Sequence, residues 1–202
     1  MTYRIFSFRS AIAAGLLAAG SLLAGCADMS TMGETATDAA ITQRTLVTMT
    51  AASVGPIDSE TRYSTKAIEA ALPGFTTQPI QMAVEDRTLW TTGVFHNGFQ
   101  VLQVLKGNGG KIGAIHAVSA NVTGPNGERL GMRFDQVGTS ISDCRVGRNL
   151  WRDMAICPAR GAPNVKLVYA VTQYDGPFDA LPPREQLASA RIQRIVWNPP
   201  AE

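Results

Sequence analysis

The sequence predicts an α+β fold: a single domain with an antiparallel sheet of six or more strands and about two short helices. Three observations carry this expectation. Short segments with strand-like patterning recur between turn signals, two such runs flank an Asn-Gly pair, and two brief stretches combine a helix boundary signal with an apolar face. At 202 residues, 45% hydrophobic and 17% charged, the chain has material for one continuous core, and a second full domain is not expected.

The elements follow in order. Thr45-Leu46-Val47-Thr48-Met49-Thr50 alternates as a half-buried strand does, and Gly55-Pro56 breaks it. Ser64 or Thr65 is placed to cap a short helix through Leu72, with Ala67, Ile68, Ala71 and Leu72 on one face and Pro73-Gly74 as the stop. Strands over 90–96 and Phe99–Lys106 flank Asn97-Gly98, the favoured pair for a type I′ turn because both central residues need positive φ. Gly107-Asn108-Gly109-Gly110 turns the chain into a strand over 111–122, with Ile112, Ala114, His116 and Val118 on one face. Further strands are expected over 151–156, 165–173 and 191–197. In the last, Ile192 and Val196 point one way and Ile195 and Trp197 the other, which suits a strand covered on both sides. Pro183 opens a short helix over 183–188. Trp90, Trp151 and Trp197 are expected in the core or at its margin.

Residues 1–25 have the three parts of an export signal: Arg4 and Arg9, an apolar run from Ala11 to Leu23, and small residues before a cysteine. The apolar run is short of the about 20 residues a spanning helix needs. Leu23-Ala24-Gly25-Cys26 resembles the lipobox of bacterial lipoproteins, which implies cleavage between Gly25 and Cys26 and a diacylglycerol thioether on Cys26. Each buried acyl methylene stabilises attachment by about 0.8 kcal/mol, so two or three chains anchor durably. In lipoproteins an aspartate directly after the cysteine favours the inner membrane. Here Ala27 follows and Asp28 comes next, so a periplasm-facing site on the outer membrane is favoured over the inner membrane. Residues 26–42 read as the lipidated cysteine and a small, polar tether, its coil spanning roughly 20 Å, ahead of a periplasmic domain over 43–202.

Lipid on Cys26 leaves Cys144 and Cys157, an even pair in an oxidising compartment, where disulfides persist. Their separation does not fit a redox Cys-x-x-Cys motif. His96 and His116 lack ligand spacing to each other or to the cysteines, so no metal site is assigned. No Gly-x-Ser-x-Gly elbow and no phosphate-cradling glycine loop occurs, and no catalytic residue or cofactor is assigned. His96 reads as a solvated residue beside a turn and His116 as a packing residue. Asp135, Asp143, Asp153, Asp175 and Asp179 read as surface or turn residues, with a carboxylate pair as the hydrolase alternative. Removing Arg4 and Arg9 with the signal leaves 16 basic and 16 acidic residues, scattered along the chain, which disfavours nucleic acid as a partner.

Several stretches together are similar to a family of proteobacterial lipoproteins of unknown function whose founding member is described as regulated by the envelope-stress sigma factor RpoE. They are Val54-Gly55-Pro56-Ile57, Leu72-Pro73-Gly74-Phe75, the run from Val122-Thr123-Gly124-Pro125 through Asn126-Gly127-Glu128-Arg129-Leu130-Gly131, the segment from Cys144 to Cys157-Pro158, and Leu181-Pro182-Pro183 leading to Ile195-Val196-Trp197. The resemblance implies a shared fold, an envelope location and regulation under stress, and carries over no catalytic residue. Two function classes follow. One is a non-enzymatic envelope accessory that presents a surface to another envelope protein; the other is a ligand-binding module for a lipid or cell-wall fragment held in a cleft.

Overall fold

Strands and helices follow one another along residues 44–172 and 174–200, which the computed structural model describes. The order is β1 (Val47–Thr48), α1 (Thr65–Ala71), β2 (Phe75–Ala83), β3 (Thr88–His96), β4 (Phe99–Lys106), β5 (Ile112–Ala117), β6 (Val122–Thr123), α2 (Phe134–Val137), β7 (Arg145–Val146), β8 (Ala155–Ala159), β9 (Ala162–Ala170), α3 (Arg184–Ala188) and β10 (Arg191–Trp197). The signal, lipobox and tether expected before residue 43 lie outside the described residues.

Eight strands form one antiparallel sheet in the order β2-β3-β4-β5-β10-β9-β8-β7. Two four-stranded meanders, each running from an outer edge to the centre, are joined where β5 pairs with β10. Asn97 and Gly98 hold φ of 51° and 80°, as a type I′ turn between β3 and β4 requires. The short β1 lies parallel to β6, outside the main sheet. The α+β fold with its antiparallel sheet is therefore as the sequence predicts, with eight sheet strands and three short helices among the described residues.

One face of the sheet carries the main core. Val94, Leu102, Val104, Ile115, Leu167, Ile195 and Trp197 pack with Ile68 of α1, Phe134 of α2 and Leu187 of α3. Ser64 Oγ accepts from the Ala67 amide at 3.1 Å, so α1 starts on a satisfied cap and turns Ile68 and Leu72 inward. The edge of the Phe134 ring meets Tyr169 at 5.2 Å between centroids, tying α2 to β9. The described core residues all lie within 47–197.

Several expectations need correction. The extra residue Gly113 opposes the Leu105–Lys106 step, and Gln193 is likewise extra between Ile192 and Arg194. Each bulge reverses side-chain parity, so Ile112 joins Ile115 in the main core instead of facing with Ala114 and His116. Ile192 joins Ile195 and Trp197, leaving Val196 on the opposite face. Gly113 and Gly107 pass so close that a Cβ on Gly113 would stand 2.6 Å from the Gly107 Cα. Residues 75–83, which the sequence reading leaves without a strand, form the edge strand β2; Pro79 and a half-exposed pattern hide it, and an edge is where proline is tolerated. Trp151 ends a 3₁₀ turn rather than starting a strand, and β8 begins only at Ala155. Trp90 is 68% exposed, not in the core, because it faces with Gln81 of the edge strand, beyond the covering helices.

Cys144 and Cys157 are disulfide-bonded, with a sequence separation of 13. The pairing of Arg145 with Ile156 places the two cysteines opposite one another at the start of the β7–β8 excursion. Closing a loop of this size contributes about 3 kcal/mol in the chain-entropy account. Cys144→Ala combined with Cys157→Ala is expected to lower unfolding free energy by about that amount, read from urea midpoints. A double variant as stable as the parent would show that the crosslink adds nothing to the fold.

Candidate functional site

The second face of the sheet is mostly apolar but carries a buried polar group at its centre. Direct cross-strand pairs share a face, and one row runs Gly93, Gln103, His116, Val196, Lys166, Pro158 across β3, β4, β5, β10, β9 and β8. Arg194 lies two residues from this row, on the same face of β10. Its Nη1 donates to Gln103 Oε1 at 2.7 Å and approaches His116 Nδ1 at 3.5 Å. The Trp151 ring covers both, 5.7 Å from the imidazole centroid and 5.9 Å from the guanidinium carbon.

His116 is 3% exposed. Burial, and then the Arg194 charge, push its pKa from 6.5 down to about 3, so the imidazole is neutral at physiological pH. A guanidinium can only donate, so Nδ1 acts as acceptor and the ring proton sits on Nε2. No acceptor for that Nε2–H exists among the described residues. Burial also lowers the pKa of Arg194, which has no carboxylate partner among the described residues.

Trp151 is held in place by a latch. The loop from β7 to β8 is bonded at its base by Cys144–Cys157 and at its tip by Glu85, which lies in the turn between β2 and β3. Arg145 reaches Glu85 with both terminal nitrogens, at 2.6 and 2.7 Å, and the Arg148 amide donates to the same carboxylate at 2.8 Å. The Leu150 amide bonds the Glu85 carbonyl at 3.0 Å, and Asn149 Nδ2 reaches Asp86 at 2.9 Å. The Arg145 hydrogen bond, aided by the Arg148 amide, holds the Glu85 carboxyl below its usual range. Since β2 and β7 are the two edges of the sheet, these contacts draw its opposite ends together over the second face. Gly147 is obligatory there, because a Cβ would stand 2.1 Å from the Trp151 carbonyl oxygen.

Beneath the latch lies a cleft of about 310 Å³. Val84, Leu105, Ala114, Ile156, Val196 and Trp151 supply apolar walls; His116, Lys166, Asn198, Glu85 and Arg145 supply polar groups. Apolar walls with a few convergent polar groups are the usual makeup of a small-molecule site. The Lys166 ammonium has no ion-pair partner among the described residues.

Other candidates fare differently. Cys26 and Gly25 lie outside the described residues. His96 is only half-exposed: its ring tilts against Phe75 at 4.8 Å between centroids and its Nδ1 is buried without a hydrogen bond. No two of Asp143, Asp179, Asp153 and Asp135 line the same surface depression. Asp135 is instead held by Arg133 at 2.9 and 3.0 Å. No cluster of three or more metal-binding side chains occurs among the described residues. Glu85, Gln103, Lys166 and Arg194 are site residues that the sequence reading passed over. Their signal is a polar side chain at alternate positions of an otherwise apolar strand, as in Arg194 next to Ile195-Val196-Trp197.

Fold and site together define an α+β domain with a double-meander antiparallel sheet, a helical layer on one face and a latched cleft on the other. The chain belongs to the family described as "Protein of unknown function (DUF1131)", whose model matches residues 42–199. The crystal structure of the uncharacterized protein yfeY from Escherichia coli is similar, with a TM-score of 0.60 and 16% identity, covering 75% of this chain and 99% of that one. At that identity the likeness establishes the fold alone. None of the curated proteins compared with the chain matches it.

Two outcomes follow from this geometry. Glu85→Gln is expected to speed hydrogen exchange at the Arg148 and Leu150 amides and to cost about 1 kcal/mol of stability; unchanged exchange would show that the latch does not hold the loop. The unfolded chain protonates His116 below pH 6.5 and the folded chain only near 3, so the unfolded state binds more protons in that window. Stability is then expected to fall on acidification by at most about 5 kcal/mol between the two values, and His116→Gln is expected to flatten the decline in urea titrations at successive pH.

Proposed function

We propose that this protein is a lipid-anchored lipoprotein of the bacterial cell envelope, facing the periplasm from the outer membrane, and that it acts as a non-enzymatic accessory through binding. The address rests on Leu23-Ala24-Gly25-Cys26 and on the similarity to RpoE-regulated envelope lipoproteins, which extends the proposal to a role under envelope stress. The observation that carries the binding reading is the state of His116. A general acid or base works best with a pKa near the operating pH, whereas His116 is driven to about 3 and its Nδ1 faces the Arg194 guanidinium. Such a group holds a partner's acceptor; it does not shuttle protons at neutral pH.

A second reading, a periplasmic module for a small ligand such as a lipid or cell-wall fragment, is favoured over a purely surface-binding accessory by one specific feature. The cleft beneath Trp151 contains the His116 Nε2–H donor and the Lys166 ammonium, neither with a protein acceptor among the described residues. A donor left without a protein acceptor in such a cleft is met by water or by a ligand's acceptor.

The attachment is tested directly in cells. The parent chain is expected to incorporate labelled palmitate and to fractionate with outer membranes, and Cys26→Ser to lose both properties. Membrane association that survives Cys26→Ser unchanged would sink the anchor. Crosslinking of the anchored chain is expected to recover a discrete envelope component; recovery only as a free monomer counts against the accessory role.

A further inference from the structure

We propose that the latched cleft binds an amphiphile with an acidic head, a carboxylate or a phosphate, seated over Val196 between His116 and Lys166, with its apolar body along Leu105, Ala114 and Val84. The inference rests on the ligand-module reading above and names the chemical class of the ligand.

The row across the sheet gives the geometry. His116 pairs with Val196, and Val196 pairs with Lys166, so the two polar residues flank one apolar residue on adjacent strands. Neighbouring strands stand about 4.8 Å apart, which places the two Cα atoms about 10 Å from each other. A head group resting on Val196 is then within reach of the imidazole Nε2–H from one side and the flexible lysine from the other.

Charge decides the sign of the head. The charged groups lining the cleft are Glu85, Arg145 and Lys166. Glu85 is committed to Arg145 and to the Arg148 amide, and Arg145 is committed to Glu85, so their charges offset one another within the latch. His116 is neutral and offers a donor. Lys166 is left as the uncompensated charge, and with the Nε2–H beside it the site calls for an anionic acceptor. A cationic head would meet a like charge and a donor it cannot use.

Shape decides the body. Beyond the row, the walls are Leu105, Ala114 and Val84, without a charged side chain between them, under the Trp151 ring. Water occupies about 30 Å³ per molecule in the liquid, so a cleft of about 310 Å³ has room for about ten non-hydrogen atoms. That matches a short chain or the end of a longer one.

The test uses the disulfide-bonded chain from Ala27 to Glu202, which contains every described core residue and the whole of the family match over 42–199, titrated with octanoate, octyl phosphate and octylammonium below their micelle concentrations. Nuclear magnetic resonance follows the Trp151 indole and the His116 Nε2–H, and calorimetry gives the affinities. One or both acidic probes are expected to shift the two signals saturably and to bind at least tenfold more tightly than octylammonium; their relative affinity tells carboxylate from phosphate. Lys166→Gln is expected to weaken acidic binding about tenfold and Lys166→Arg to restore most of it. Because Lys166 is half-exposed and outside both apolar cores, these variants test the site without removing a core side chain. Equal binding of octanoate and octylammonium at the cleft, or indifference to Lys166→Gln, overturns the acidic assignment while the ligand-module reading survives. If none of the three probes perturbs the cleft, the amphiphile proposal fails, and crosslinking of the anchored full chain to an envelope protein then separately supports the surface-binding accessory.

Discussion

The antiparallel pairing of β5 with β10 is the joint on which the domain depends. It turns two meanders, each too small to bury a face, into one sheet broad enough to be covered on both sides. On one face it aligns Ile115 and Ala117 with Trp197 and Ile195, the centre of the main core. On the other it sets His116 beside Val196, at the centre of the polar row. Fold and site therefore share one set of backbone hydrogen bonds, and a register slip at this joint would exchange the contents of the two faces.

The second face shows how a polar cluster is tolerated inside a small protein. Gln103, His116 and Arg194 satisfy one another in part, and the Trp151 ring lies over the imidazole and the guanidinium without offering a competing acceptor. An uncompensated guanidinium and a neutral imidazole at such a position are costly for stability alone. An apolar substitute of similar volume would pack there at least as well. Their presence in the middle of a sheet otherwise lined with Val168, Val196 and Ile156 is the feature that separates this face from a second hydrophobic core.

Much of the fold was legible because its signals are local. Asn97-Gly98 announces a hairpin through the positive φ values that such a pair adopts cheaply, Ser64 announces a helix start, and the apolar run at 191–197 announces a central strand. What escaped was set by long-range partners. The bulges at Gly113 and Gln193 turn Ile112 and Ile192 into the core, and nothing in the flanking alternation marks the change of parity. The edge strand β2 carries Pro79 and few buried side chains, so its pattern resembles a loop until β3 pairs with it. The site was less legible still. Glu85 and Arg145 are 60 residues apart in sequence, as are Gln103 and Arg194 by 91, and each residue looks ordinary until the sheet brings it to its partner.

The loop that roofs the cleft is secured at two points of different chemical character: ion pairs at Glu85, and a covalent bond at Cys144–Cys157, which forms only where thiols are oxidised. The two fastenings answer to different conditions, one to the salt around it and the other to the redox potential. Reducing surroundings leave Trp151 held by the reversible contacts at Glu85 alone, and oxidising surroundings add the covalent fastening.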